Sequence, residues 1–171
     1  MTDWVFGYGS LIYKVDFPYL EREPAQIDGW ARRFWQGSHD HRGTPGSPGR
    51  VVTLVPAEGR RCRGMAYRVE HEVFEHLDHR EKNGYERHRV VMELLESGQS
   101  VPGTLYVAGR DNPAYLGPAE ADDMAEHIFA ARGPSGENLD YLLRLADALR
   151  DIGDEDEHVF DLERRVKALL G

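Results

Sequence analysis

A short segment with two glycines, near the start of the chain, has residue types that bind anionic groups. Gly7-Tyr8-Gly9-Ser10 follows an apolar run, Asp3 to Gly7, that is typical of a buried strand. Two glycines around one residue allow the backbone to turn sharply and to approach a ligand closely. Successive N–H groups in such a turn form a donor site for a carboxylate or a developing oxyanion, and Ser10 adds a hydroxyl group. A plain turn explains the segment equally well, since it does not match the phosphate-binding Gly-x-Gly-x-x-Gly pattern.

Glu81 is the second candidate for chemistry. A helix is predicted from His71 to Lys82, and on it Val73, Leu77 and Glu81 are spaced four residues apart. Glu81 therefore continues an apolar face that should lie against the core. A carboxylate in that position is either paired with an arginine or held in a cavity, where desolvation raises its pKa and makes it a competent general base.

A polar loop from Ser38 to Gly46 contributes a third set of candidates. Its Arg42 carries a guanidinium group, which binds a carboxylate at two points. The sequence His39-Asp40-His41 admits a metal site, but the tight spacing without a distant ligand makes this interpretation weak. Cys62 lies among arginines, which lower a thiol pKa, yet an ordinary strand cysteine is the simpler interpretation.

The composition of the 171 residues is that of an ordinary globular protein, and the formal net charge of −9 narrows the choice of partner. Net negative charge disfavours binding to nucleic acid or to anionic membranes. The arginines are concentrated in the first half of the chain, which favours a small anionic ligand. The opening residues lack a secretory signal, and Cys62 is the only cysteine, so we expect a cytoplasmic protein without a disulfide.

Strand patterns fill most of the first hundred residues, and helical patterns fill the rest. Strands are predicted at residues 3–7, 26–37, 50–56, 62–69, 86–95 and 101–108, and helices at 71–82, 120–132, 139–149 and 159–169. The strand 50–56 is expected to end at Pro56. This order predicts a mixed α+β fold: one small domain over residues 1–171, with a closed or nearly closed β-barrel-like sheet and flanking helices.

Taken together, these segments resemble the ChaC-like family of glutathione-specific γ-glutamylcyclotransferases. The resemblance covers nearly the whole chain and is carried by an ordered set of motifs. These are Val5-Phe6-Gly7-Tyr8-Gly9-Ser10-Leu11-Ile12, Arg33-Phe34-Trp35-Gln36-Gly37-Ser38, Asp40-His41-Arg42-Gly43-Thr44-Pro45, Pro48-Gly49-Arg50-Val51-Val52-Thr53-Leu54, Arg80-Glu81-Lys82-Asn83-Gly84-Tyr85, Asp111-Asn112-Pro113, Tyr115-Leu116-Gly117-Pro118 and Gly133-Pro134-Ser135-Gly136. The departures are small: Tyr13 and His79 stand where the family often has tryptophan and another aromatic residue.

The resemblance implies a γ-glutamylcyclotransferase-like fold and the cleavage of glutathione to 5-oxoproline and cysteinylglycine. It assigns Glu81 as the catalytic glutamate. It also assigns the substrate-binding loop, which comprises Val5, Phe6, Gly7, Tyr8, Gly9, Ser10 and Leu11. Arg42 and Tyr115 are weaker candidates for substrate contacts, and the expected reaction needs neither a cofactor nor a metal.

Two alternatives stay open at this point. The same catalytic residues would also serve a cyclotransferase that acts on other γ-glutamyl peptides or amines. A non-catalytic regulatory binding module is the alternative from another class of protein.

Overall fold

The computed structural model describes residues 1–81 and 85–171, with side chains throughout except at positions 78–81. The chain packs as two compact units. One comprises Met1–Ala31 and Leu54–Asn112 and is called the barrel unit here, and the other comprises Arg32–Thr53 and Pro113–Gly171 and is called the helical unit. The prediction of a single domain over residues 1–171 stays a prediction.

The long strands of the described chain form a closed barrel, which confirms the predicted fold class. They are β1 (Thr2–Gly7), β2 (Glu21–Ser38), β3 (Gly49–Glu70), β4 (Tyr85–Leu94) and β5 (Ser100–Ala108). Their order around the barrel is β1-β3-β2-β4-β5. Strand β1 runs antiparallel to β3 and parallel to β5, so its carboxyl end is held between these two strands.

The core of the barrel unit consists of inward-facing side chains from these strands. Phe6, Leu54, Met92 and Leu105 are each at most 2% exposed. Burying each side chain of this size contributes roughly 1.5–3 kcal/mol of transfer free energy. Cys62 belongs to the same apolar cluster and is buried, which supports its interpretation as an ordinary strand cysteine.

The predicted break at Pro56 is wrong. Strand β3 continues through this residue, so the two strands predicted at residues 50–56 and 62–69 are one element. Pro56 is exposed, and a proline persists in a strand where no partner needs its missing N–H group. Three residues later in the same strand, Gly59 has a φ of 78°, which glycine adopts at little cost.

Four helices were predicted, and all four are present with slightly different ends. They are α1 (His71–Glu81), α2 (Ala121–Ala130), α3 (Asn138–Asp151) and α4 (Glu157–Leu170), and two short strands, β6 (Arg132–Gly133) and β7 (Gly136–Glu137), lie between α2 and α3. In α4 the predicted apolar stripe is buried at Val159, Leu162 and Val166, whereas Leu169 is exposed. Within the described ranges, no helix is both long and apolar enough to span a membrane.

A polar network inside the helical unit ties β2 to the start of α4. The guanidinium group of Arg32, which is 1% exposed, donates to Asp154 at 3.1 Å and to Asp156 at 2.7 Å. Asp156 also caps α4 by accepting from the Val159 amide. The Phe34 amide donates to Nε2 of His158 at 3.0 Å, so this imidazole must be neutral to act as an acceptor.

His158 should make the stability of the protein depend on pH. Burial, followed by the nearby Arg33 charge, lowers the pKa of His158 from 6.5 to about 4. Between pH 4 and 6.5, His158 binds a proton in the unfolded chain but not in the folded chain. The free energy of unfolding should therefore fall as the pH decreases from about 6.5 to 4, by about 3 kcal/mol from this group.

Denaturant unfolding at a series of pH values tests this prediction. His158→Gln keeps an acceptor for the Phe34 amide and does not ionise in this range, so its curve should lack the His158 contribution. The difference between the two curves cancels the carboxyl groups that titrate in both proteins. Parallel curves between pH 4 and 6.5 would refute the prediction.

Candidate active site

The predicted binding loop begins where β1 ends at Gly7. Tyr8 and Gly9 lead into a single 3₁₀ turn, Ser10–Ile12. The Ile12 amide donates to the Gly9 carbonyl at 3.0 Å and the Lys14 amide donates to the Ser10 carbonyl at 2.7 Å. The amides of Ser10 and Leu11 precede the first hydrogen bond of the turn, so they have no acceptor within it. Ser10 is exposed, and this end of the loop can therefore offer N–H groups to an anionic ligand.

Val5 and Phe6 lie in the strand rather than in the open part of the loop. Their side chains are 1% and 2% exposed, and Phe6 belongs to the barrel core. Val5 pairs with Tyr67 of β3 and with Thr104 of β5. These two residues position the loop by fixing the strand that precedes it. A direct role for them in substrate binding stays a prediction.

Glycines on two adjacent strands let the backbones approach closely at the start of the loop. A Cβ atom on Gly7 would lie 2.7 Å from Cβ of Leu11. A Cβ atom on Gly64 of β3 would lie 2.2 Å from the Gly7 carbonyl oxygen and 2.7 Å from the Phe6 ring. The loop conformation therefore depends on glycine at position 64, which the sequence did not single out.

Gly64→Ala should displace the Gly7 peptide and reduce both stability and activity. The added methyl group meets backbone and a buried ring, so the structure cannot relieve the overlap by moving a flexible side chain. Overpacking of this kind costs about 1–3 kcal/mol. Thermal unfolding and a steady-state assay measure the two effects.

Gly46→Ala is the matched control for this substitution. A Cβ atom on Gly46 would have no neighbour within 4 Å, and its side chain position is exposed. This variant should behave like the wild-type protein. If Gly64→Ala behaved like Gly46→Ala, the close approach of the two backbones would not matter for stability or activity.

Helix α1 presents the predicted apolar face. Val73, Phe74 and Leu77 are 6%, 3% and 3% exposed, which confirms the described part of this face. Glu81 is the last residue of α1, one turn after Leu77. Its side chain lies outside the described residues, as do Lys82 to Gly84, and its role as the base stays a prediction.

The barrel unit contains a cleft of about 770 Å³ beside α1. One wall is the segment from Asp16 to Leu20. The other is formed by α1 and by Glu70, the residue immediately before this helix. The lining residues are Asp16, Phe17, Pro18, Tyr19, Leu20, Glu70, Glu72, Val73, His76 and Leu77. Most of this surface is apolar, and the cleft has the size of a small-molecule site. The helix that ends at Glu81 therefore borders a cleft large enough for a tripeptide.

Arg42 and Tyr115, the two weaker candidates, are both in the helical unit. Arg42 is 7% exposed, and its Nη1 donates to the Glu137 carbonyl at 3.0 Å. The same nitrogen lies 3.6 Å from a carboxylate oxygen of Asp140, and the guanidinium group lies over the Tyr141 ring at 5.7 Å. These contacts fix the polar loop against the start of α3, so Arg42 has a structural role whether or not it contacts substrate.

Tyr115 is partly buried in a short segment that pairs with β2. It forms an isolated bridge with Gln36, and the Gly117 amide donates to the Trp35 carbonyl at 3.0 Å. Arg50 holds the same segment, because its Nη1 donates to the Gly117 carbonyl at 2.9 Å. The side chain of Tyr115 is thus well positioned, and its contact with substrate stays a prediction.

The two histidines of the polar loop differ in the described structure: Nε2 of His39 is buried without a hydrogen-bond partner, whereas His41 has ordinary surroundings. His41 is exposed, and its Nδ1 lies 3.0 Å from the Ser135 hydroxyl. The Ser135 amide donates to the His41 carbonyl at 2.8 Å. These contacts explain the position of His41 without a metal ion.

Comparison with known proteins identifies relatives over the whole length of the chain. The model of the family described as ChaC-like protein matches residues 3–169. Gamma-glutamylcyclotransferase 2-3 of Arabidopsis thaliana is 44% identical, and the match covers 99% of this chain and 91% of the plant protein. Glutathione-specific gamma-glutamylcyclotransferase 1 of Mus musculus is 42% identical, with 98% and 79% covered.

A solved structure shares both the fold and much of the sequence. It is the crystal structure of a gamma-glutamylcyclotransferase specific to glutathione from yeast, which superposes with a TM-score of 0.88 at 34% identity. The superposition covers 98% of this chain and 96% of the yeast chain. The predicted family resemblance is thereby confirmed.

Proposed function

The chain belongs to the ChaC-like protein family, and we propose that it is a glutathione-specific γ-glutamylcyclotransferase in which Glu81 is the general base. Its products are 5-oxoproline and cysteinylglycine. The observation that carries this proposal is the full-length match to glutathione-specific enzymes from mouse and yeast. The glycine loop at the end of β1 supports it, because this loop is in the unit that also contains the backbone of Glu81. The described lining of the cleft beside α1 includes no residue of the loop.

The reaction begins with removal of a proton from the α-ammonium group of the glutamyl residue. Glu81 accepts this proton, and a carboxylate with a raised pKa does so at modest cost because an α-amino group titrates near pH 8. The freed amine attacks the γ-carbonyl carbon and closes a five-membered ring. As the C–N bond to cysteine breaks, Glu81 returns the first proton to the departing nitrogen. The second proton, which the ring nitrogen must lose, also ends on that nitrogen, so 5-oxoproline forms as a neutral lactam and cysteinylglycine leaves with an ammonium group. Atoms and charge balance without a co-reactant.

The loop from Gly7 to Leu11 has the second role in this mechanism. Because the attack is intramolecular, the enzyme must mainly hold the substrate in the bent conformation. The amides of Ser10 and Leu11 bind the glutamyl end of the substrate, which carries both a carboxylate and the carbonyl that becomes an oxyanion. Arg42 and Tyr115 are proposed as further substrate contacts, with Arg42 binding the glycine carboxylate.

Product analysis after incubation with reduced glutathione tests the proposal. Equimolar 5-oxoproline and cysteinylglycine are expected, and oxidised glutathione serves as the control substrate. The absence of both products would reject the enzymatic function and favour a non-catalytic binding module.

A cyclotransferase with broader specificity is the second candidate. It is favoured by the plant relative, whose name specifies γ-glutamyl cyclotransfer but not glutathione. Comparing 5-oxoproline release from glutathione and from simple γ-glutamyl amino acids distinguishes the two.

We also propose that the protein acts in the cytoplasm on this small-molecule substrate, since the lone buried Cys62 suits a reducing compartment.

A further inference from the structure

The binding loop is anchored to both strands that flank β1. At its start, the Tyr8 hydroxyl donates to the Tyr106 carbonyl of β5 at 2.7 Å. At its end, the Tyr67 hydroxyl of β3 donates to the Leu11 carbonyl. Since β1 lies between β3 and β5, the two tyrosines fix the loop from opposite sides.

Tyr67 is held rigidly in its own surroundings. Tyr67 is only 1% exposed. The Phe17 and Tyr19 rings lie against it, with ring centroids 5.5 and 5.3 Å away. Burial raises the pKa of Tyr67, so its hydroxyl stays protonated and donates at physiological pH. A rigid ring with an obligatory donor determines where the Leu11 carbonyl can lie.

The position of this carbonyl matters for the donors of the loop. Leu11 is in the middle of the 3₁₀ turn, and its own amide is one of the two that the turn leaves without an internal acceptor. A shift of the Leu11 carbonyl would rotate the neighbouring peptides and turn these amides away from the substrate. Displacements of about 1 Å at such a site can cost on the order of a hundredfold in rate.

We propose that Tyr67 is a positioning residue for the cyclotransferase reaction, acting through its hydrogen bond to the Leu11 carbonyl, with Tyr8 as the second anchor. This inference rests on the proposed function of the loop. The observed contact of the Tyr67 hydroxyl is with the loop, at the Leu11 carbonyl. The aromatic contacts with Phe17 and Tyr19 also connect the loop to the wall of the cleft beside α1.

Tyr67→Phe tests the inference because it removes only the hydroxyl group. The value of kcat/KM for glutathione should fall about tenfold, the effect of one lost hydrogen bond that positions the binding donors. Tyr8→Phe should have a similar effect. The matched control is Tyr85→Phe, which removes a hydroxyl at the start of β4 from a residue that is 36% exposed and is not among the described residues that line the cleft. It should leave kcat and KM unchanged.

Amide hydrogen exchange provides a readout that does not depend on activity. The amides of Ile12, Tyr13 and Lys14 donate to loop carbonyls, so they should be protected in the wild-type protein. Tyr67→Phe should increase their exchange by about tenfold without affecting amides of β4 and β5, and Tyr85→Phe should not increase it.

The outcomes separate the inference from the function on which it rests. Wild-type kinetics and wild-type exchange in Tyr67→Phe would overturn the inference while leaving the cyclotransferase proposal intact. An equal loss of kcat/KM in Tyr85→Phe would also overturn it, because the effect would then not depend on the hydroxyl that contacts the loop. A wild-type protein that releases no 5-oxoproline would reject the function, and faster exchange in Tyr67→Phe would still support the anchor.

Discussion

Glu81→Gln is expected to lower the turnover of glutathione by about 10²–10⁴-fold, the range typical of a lost acid–base catalyst. Glutamine keeps the shape of the side chain but cannot accept the proton of the substrate ammonium group. KM should change much less, because the loop that binds the glutamyl end is untouched. Steady-state release of 5-oxoproline measures both constants, and the thermal midpoint shows whether folding is retained.

Glu75→Gln is the control for this prediction. Glu75 is on the same helix, α1, and its side chain is exposed, so this variant makes the same chemical change away from the proposed site. It should retain wild-type turnover. Full activity in Glu81→Gln would end the assignment of Glu81 as the base.

The proposed proton transfer requires an ionised Glu81 in the free enzyme, and this gives a connected expectation. The rate should then fall at low pH as the carboxyl group becomes protonated, and kcat/KM should report this ionisation. In Glu81→Gln, any residual activity should lack this acidic limb.

Arg32→Met is expected to cause the largest loss of stability, about 3–5 kcal/mol in the free energy of unfolding. The substitution preserves most of the buried volume but removes the cation that Asp154 and Asp156 share. Burial raises the pKa of Asp154 even though the Arg32 charge acts to lower it. Without Arg32, both carboxylates would lose the guanidinium group that they share in a poorly hydrated region. Denaturant unfolding measures the loss.

Arg132→Met and a rescue variant complete this experiment. Arg132 forms an ion pair with Glu137 in the same unit, but both side chains are more than half exposed, so its loss should have little effect. Adding Asp154→Asn and Asp156→Asn to Arg32→Met should restore part of the stability, since asparagine still caps α4. Unaltered unfolding of Arg32→Met would show that the buried pair does not stabilise the fold.

Local patterns predicted most of the elements that position the candidate site. A short apolar run predicted β1, the alternation of apolar and polar residues predicted β4 and β5, and the four-residue spacing of Val73 and Leu77 predicted the buried face of α1. These signals depend on residues only a few positions apart. They failed at Pro56, where the outcome depends on whether a neighbouring strand needs the N–H group. They also missed β6 and β7, which are too short to have a period.

By itself, the sequence determined the order of the strands and helices along the chain, the glycine loop at the end of the first strand, and the family of the chain. The tertiary structure alone decided which distant residue anchors that loop and which residues form the buried ion pair of the helical unit. Tyr67 and Leu11 are 56 residues apart, and Arg32 and Asp154 are 122 residues apart. Such pairs form because strand order and register bring their backbones together, and the periodicity of neighbouring residues carries no information about that pairing.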